Sequence, residues 1–134
     1  MTYEAEIRSA LLTQLKTVVS ETLIAEENKE FTPSGGTPWV RETLLPGMPE
    51  RVEIMQDGKS RQVGVYQLDV FTPSGIGTDI SDTLSTTIGD AFAVGSSLGT
   101  SVIVVIKRVY GLPGREEGDW YHKPLVIEWR IMES

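Results

Sequence analysis

The chain has 134 residues, 40% of them apolar and 23% charged, a balance that fits one domain with its own core and excludes a disordered chain. It contains no cysteine, which excludes a disulfide framework and thiolate chemistry. A formal net charge of −7 argues against a dedicated nucleic-acid binder, but suits a surface that nucleic acid passes without sticking.

The opening Met-Thr-Tyr-Glu-Ala-Glu has neither the basic start nor the apolar run of a signal peptide, so the chain reads as soluble and unprocessed. From there Tyr3, Ile7, Leu11, Leu15 and Val18 step by four and three, which predicts a helix with one buried stripe. Thr2 is its expected N-cap, and Glu4 and Glu6 place negative charge at the positive end of the helix dipole. Thr22–Ala25 is a candidate short strand. The charged run Glu26–Glu30 then leads into Phe31-Thr-Pro-Ser-Gly-Gly-Thr-Pro, whose prolines and glycines predict an irregular loop.

Sheet signals follow. Trp39–Leu45 ends at the turn pair Pro46-Gly47. Arg51–Met55 alternates polar and apolar residues, and Asp57-Gly58 is a strong hairpin turn. The expectation is an antiparallel hairpin of Arg51–Met55 with the long strand Arg61–Phe71. That strand carries Tyr66, Leu68 and Val70 on one face and Val63, Val65, Gln67, Asp69 and Phe71 on the other. A second Phe-Thr-Pro-Ser-Gly follows at Phe71–Gly75. It enters a helix with Thr78 as expected N-cap, Ile80, Leu84, Ile88 and Phe92 as its stripe, and Gly95 as expected C-cap.

The run Ser101–Tyr110 is apolar on both faces and reads as a central strand; its apolar core is far too short to cross a membrane, which takes about 20 residues. After a turn-rich connection, the last strand sets Tyr121, Leu125, Ile127, Trp129 and Ile131 against the core. Trp120, His122, Glu128 and Arg130 fall on a wet face. The whole reads α-β-β-β-β-α-β-β: an α+β fold in one domain over residues 1–134, with a mostly antiparallel or mixed sheet of about five or six strands and both helices on one side.

No constellation of residues meets the requirements of an active site. The chain has one histidine, so a zinc site would need carboxylates alone around it. No serine sits in a Gly-x-Ser-x-Gly elbow. Glu26, Glu27, Glu116 and Glu117 fall in charge runs that are usually solvated. The glycines before the second helix lack the lysine of a phosphate loop and are followed by aspartates. Asp69, within an apolar strand, either alternates outward or pairs with Arg41, Arg108 or Arg115, inside the domain or across a subunit contact. No cofactor or metal is expected, and the chain reads as a non-enzyme.

Three stretches carry a resemblance to a known family: Thr37-Pro-Trp-Val-Arg41, Gly64-Val-Tyr-Gln-Leu-Asp-Val-Phe-Thr-Pro-Ser-Gly-Ile-Gly77 and Gly114-Arg-Glu-Glu-Gly-Asp-Trp-Tyr121. With the helix before them and the alternating strand after them, they resemble phage and prophage tail terminators across nearly the whole chain. The resemblance implies an α+β subunit of a ring, a hexamer, that caps the tail tube and offers a docking face to the head. It implies the tail-tube protein and a head–tail connector protein as partners, with DNA passing through unbound. The place it implies is the virion tail, and the host cytoplasm during assembly. Arg41, Asp69, Arg115, Glu116 and Trp120 are the candidate contact residues. Two alternatives stay open: a head-completion or other minor tail protein of similar fold, and a small hydrolase-type enzyme built around Asp69 or His122.

Overall fold

The computed structural model describes residues 4–46, 53–54, 60–100 and 102–132. Helix α1 spans Glu4–Leu15, and Ile7, Leu11 and Leu15 on its stripe are fully buried. The stripe does not continue through Val18. A turn after Leu15, closed by the Val19 N–H on the Leu15 carbonyl at 3.0 Å, brings Val19 into the core and leaves Val18 37% exposed. Thr2 and Tyr3 lie outside the described residues. A short 3-10 turn at Glu21–Leu23 then leads into β1, Ile24–Ala25, and the Phe31–Pro38 loop carries no regular structure.

The main sheet is mixed and, among the described residues, seven-stranded. Its path runs β1, β2 (Trp39–Pro46), β5 (Val63–Pro73), β9 (Trp120–Met132), β7 (Ile103–Gly111) and β6 (Ser97–Leu98), with β8 (Arg115–Glu117) also on β9. Among the described strands only β1 and β2 pair in parallel. The expected hairpin holds for Glu53–Ile54 with Ser60–Arg61 and is corrected for the rest of the long strand. β3 (Glu53–Ile54) pairs with β4 (Ser60–Arg61) in a separate two-stranded ladder, and β5 lies between β2 and β9. A strand as long as β5, apolar on one face and aromatic at its end, buries more between two long partners than in a free ribbon. The Asp57-Gly58 turn lies outside the described residues. β7 is likewise not central: the one described strand beyond it is the two-residue β6.

Helix α2 spans Asp79–Ala91. Gly75 and Gly77 hold φ of +84° and +86° in the turn before it, a conformation that glycine adopts without steric cost. Thr78 occupies the N-cap position without a side-chain cap bond, and Phe92 rather than Gly95 is the C-cap. The buried face is also rolled from the expected stripe. Ser81, Ser85, Ile88 and Phe92 face inward while Ile80 is 48% exposed.

Both helices pack on one face of the sheet. There Tyr66, Leu68 and Val70 of β5 meet Val104 and Ile106 of β7 and Leu125, Ile127 and Trp129 of β9 in one core. Gly64 stands opposite Trp129, and a Cβ at residue 64 would meet the indole ring, with the Leu45 carbonyl oxygen at 2.8 Å.

Among the described residues, one charged group lies within this core. Glu42 of β2 is fully buried. Its Oε1 accepts from the Tyr66 hydroxyl at 3.0 Å, its Oε2 from the Glu27 amide at 2.7 Å, and Arg8 Nη1 reaches both oxygens at 3.1–3.2 Å. Arg8 also binds Glu27 Oε1 at 2.8 Å. Burial, joined by the charge and hydrogen bond of Glu42, pushes the Tyr66 phenol up, so it stays a donor. Burial would raise the Glu27 carboxyl, but bonds from Arg8 and the Leu44 amide outweigh it and hold the group below its ordinary value of 4.5.

Two outcomes are expected from these contacts. Gly64→Ala should destabilise the protein by about 1–3 kcal/mol, the usual cost of overpacking, read by urea unfolding; an unchanged midpoint would mean that the indole ring moves aside freely. A lowered Glu27 pKa also means that the unfolded state binds more protons. The Glu27 contribution is therefore present above its ordinary value of 4.5 and lost as pH falls through the folded value. Glu27→Gln should be less stable at neutral pH and lose less stability on acidification than the parent chain.

Candidate functional site

No described helix covers the opposite face of the sheet, and there the candidate contact residues gather around one cross-strand row. Strand alternation and register align Trp39, Phe71 and His122 across β2, β5 and β9, with Arg115 of β8 next in line. Trp39 stacks on Phe71 with ring centroids 4.1 Å apart, and Phe71 stacks on His122 at 4.7 Å. Trp120 meets Trp39 edge-on at 5.9 Å, and Phe31 packs on the same indole at 5.1 Å. The phenylalanines of both Phe-Thr-Pro-Ser-Gly copies therefore flank one tryptophan.

The next row holds the charge. Asp69 is 1% exposed and accepts from Arg41 Nε at 3.2 Å, Gln67 Nε2 at 2.9 Å and His122 Nε2 at 2.7 Å. Arg41, its side chain 46% exposed, also lies over the Phe71 ring at 5.1 Å. Asp69 thus pairs with Arg41, one of the three arginines weighed for it, while Arg108 pairs with Glu128 at 3.5 Å. The expectation of a solvated His122 is corrected: the ring is 5% exposed, held between Phe71 and Asp69. Its Nδ1 lies 3.3 Å from Glu117 Oε2, without the alignment of a hydrogen bond.

The candidates divide by location. Arg41, Asp69 and Trp120 are joined through the Trp39–Phe71–His122 row. Arg115 and Glu116 are exposed on β8 at its end, and Glu116 Oε1 accepts from Ser74 Oγ at 3.5 Å. Trp39, Phe71 and Gln67 complete the group and were not singled out from the sequence as site residues, whereas His122 was considered only for the enzyme alternative. Strand alternation did place Gln67, Asp69 and Phe71 on one face, but the row became visible only with the register of three strands.

Three donors occupy the Asp69 carboxylate, so it is poorly placed to take a proton from a substrate. Among the described residues no group of three or more His, Asp or Glu side chains is arranged to hold a metal ion. What the arrangement does is hold Arg41 and the two tryptophans rigidly at an open surface. Asp69→Asn should cost about 1.5–3 kcal/mol, the worth of hydrogen bonds to a charged group, measured by urea unfolding. Gln67→Ala, which leaves Arg41 and His122 in place, should cost less.

Comparison with known proteins places this fold. The family model described as phage tail terminator protein matches residues 6–129. One solved structure superposes with a TM-score of 0.74 at 16% identity, covering 98% of this chain and 94% of its own. A second, a chain from the virion of a native gene transfer agent particle, has a TM-score of 0.63 at 17% identity and covers 97% of this chain and 98% of its own. At such identities the likeness is one of fold. No curated protein matches the chain in sequence.

Proposed function

This chain belongs to the phage tail terminator protein family, and we propose that it is the subunit of a ring, a hexamer, that caps the tail tube and presents a docking face to the head. The family match over residues 6–129 carries this reading. A tail structural role follows from the family; the ring, its two docking partners and the arrest of tube growth are the proposal. The partners are a second copy, the tail-tube protein and a head–tail connector protein, met in the host cytoplasm and retained in the virion tail.

Two features support it. The open sheet face offers exposed Arg41 with the Trp39–Trp120 pair held in fixed geometry, and β8 offers exposed Arg115 and Glu116. Charged and aromatic groups on rigid elements suit a heterologous contact, which closes into a ring when its rotation permits. The buried Asp69 contributes by holding Arg41 in place. A net charge of −7 suits a ring through which DNA passes without being retained.

Light scattering across a concentration series, with and without the tail-tube protein, tests the reading. Rings, and tubes of limited length, are expected; a strict monomer that leaves tube length unchanged overturns it. Deleting the gene should yield over-long tails, whereas normal headless tails or leaking heads would favour a head-completion role. Arg115→Ala should fold normally by circular dichroism and weaken assembly. Unfolding by that substitution would remove β8 as a contact surface.

A further inference from the structure

The two edges of the main sheet are unlike. At one, β1 pairs with Val40 and Arg41 of β2, and the Leu44 amide donates to Glu27 Oε1 at 3.1 Å before Pro46 ends the strand. A side-chain carboxylate and a proline close that edge to another strand. At the other, β6 covers Val104 and Val105 of β7, and Ile106 exchanges backbone bonds with Gly95 and Ser96 at 2.8 and 3.0 Å. Beyond it the register shifts between Ile106 and Arg108.

The shift decides which groups face outward. The Leu112 N–H donates to the Pro124 carbonyl at 2.9 Å, whereas the Ile131 N–H turns the other way, to the Gln62 carbonyl. Even-numbered residues of β9 therefore turn their backbone toward β7. Arg108 and Tyr110, opposite Glu128 and Val126, turn inward to meet them, while Val109 and Gly111, opposite Ile127 and Leu125, turn their N–H and C=O groups away. No described strand lies there to receive them.

These groups open onto a cleft of about 750 Å³ between α2 and the end of β7. Its α2 wall carries Asp82, Ser85 and Asp90. Ser85 is 7% exposed, and its Oγ has no hydrogen-bond partner. The basic residue of the lining is Lys123, with Nζ 3.8 Å from Asp82 Oδ1, and among the described residues no cation pairs with Asp90.

We propose that this edge and cleft form a strand-addition site for an extended segment, bearing a lysine or arginine, of another tail protein. Backbone groups of Val109 and Gly111 pair with the incoming strand. Its basic side chain meets Asp90, and a polar group beside it satisfies Ser85. Charge complementarity selects a different protein over a second copy, since this chain itself carries −7. The inference rests on the tail-assembly reading for the presence of such a neighbour.

The test uses the full chain and an end-blocked peptide of alternating valine and lysine, with its valine–glutamate analogue as control. Amide hydrogen exchange followed by NMR should show the Val109 and Gly111 amides protected about tenfold or more by the lysine peptide, and not by the analogue. Asp90→Lys, a helix-end position where lysine suits the helix dipole, should remain folded and abolish that protection. Unprotected amides, equal binding of the analogue or an unaffected Asp90→Lys variant would overturn the inference. Protection arising from self-association alone would overturn the choice of a different protein. A chain that limits tube length yet ignores the peptide sinks this inference and leaves the proposed function standing; a strict monomer that binds the peptide does the reverse.

Discussion

A carboxylate out of reach of water organises the helix-side core. Glu42 lies among Tyr66, Arg8 and the Glu27 amide, and an ionised group so buried persists only when its lone pairs are filled. Each partner comes from a different part of the chain. Meeting that requirement ties α1 to β2, the segment after β1 to the sheet edge, and β5 to β2. The Arg8–Glu27 pair then places the Glu27 carboxylate on the Leu44 amide, so the same network that stabilises a buried charge also closes one edge of the sheet.

The two faces of the sheet solve different problems. Under the helices the solution is apolar volume, with Trp129 fitted over a residue that has no side chain. On the open face no described helix covers the strands, and order comes from stacking in register and from a carboxylate that collects an arginine, an amide and an imidazole. Such a surface is stiff without being covered, which suits a protein whose work is contact. The edges divide in the same way, with β2 closed by a side chain and β7 left open beside an acidic cleft.

Much of the architecture was legible in the sequence, because period 3.6 in Ile7, Leu11 and Leu15 and period 2 in β5 and β9 are direct consequences of helix and strand geometry. The irregular Phe31–Pro38 loop followed from its prolines and glycines, and the family resemblance rested on the strands and turns that now frame the open face. The site was less legible. Asp69 and Arg41 stood out as residue types, but His122 was placed in water because alternation puts it beside Glu128 and Arg130, and Glu42 drew no notice within Trp-Val-Arg-Glu-Thr.

What the sequence by itself determined is local: which stretches are helix or strand, which side chains share a face, and the family to which the chain is related. What only the tertiary structure decided is adjacency. The expected hairpin ends at Arg61 and β5 runs on between β2 and β9, β7 moves toward the edge, α2 rolls onto its serines, and His122 is covered. Alternation names the residues on a face, but what lies beside or above them depends on contacts between distant segments. There the burial of long apolar strands and the pairing of buried charges outweigh the preference of neighbouring segments to pair with each other.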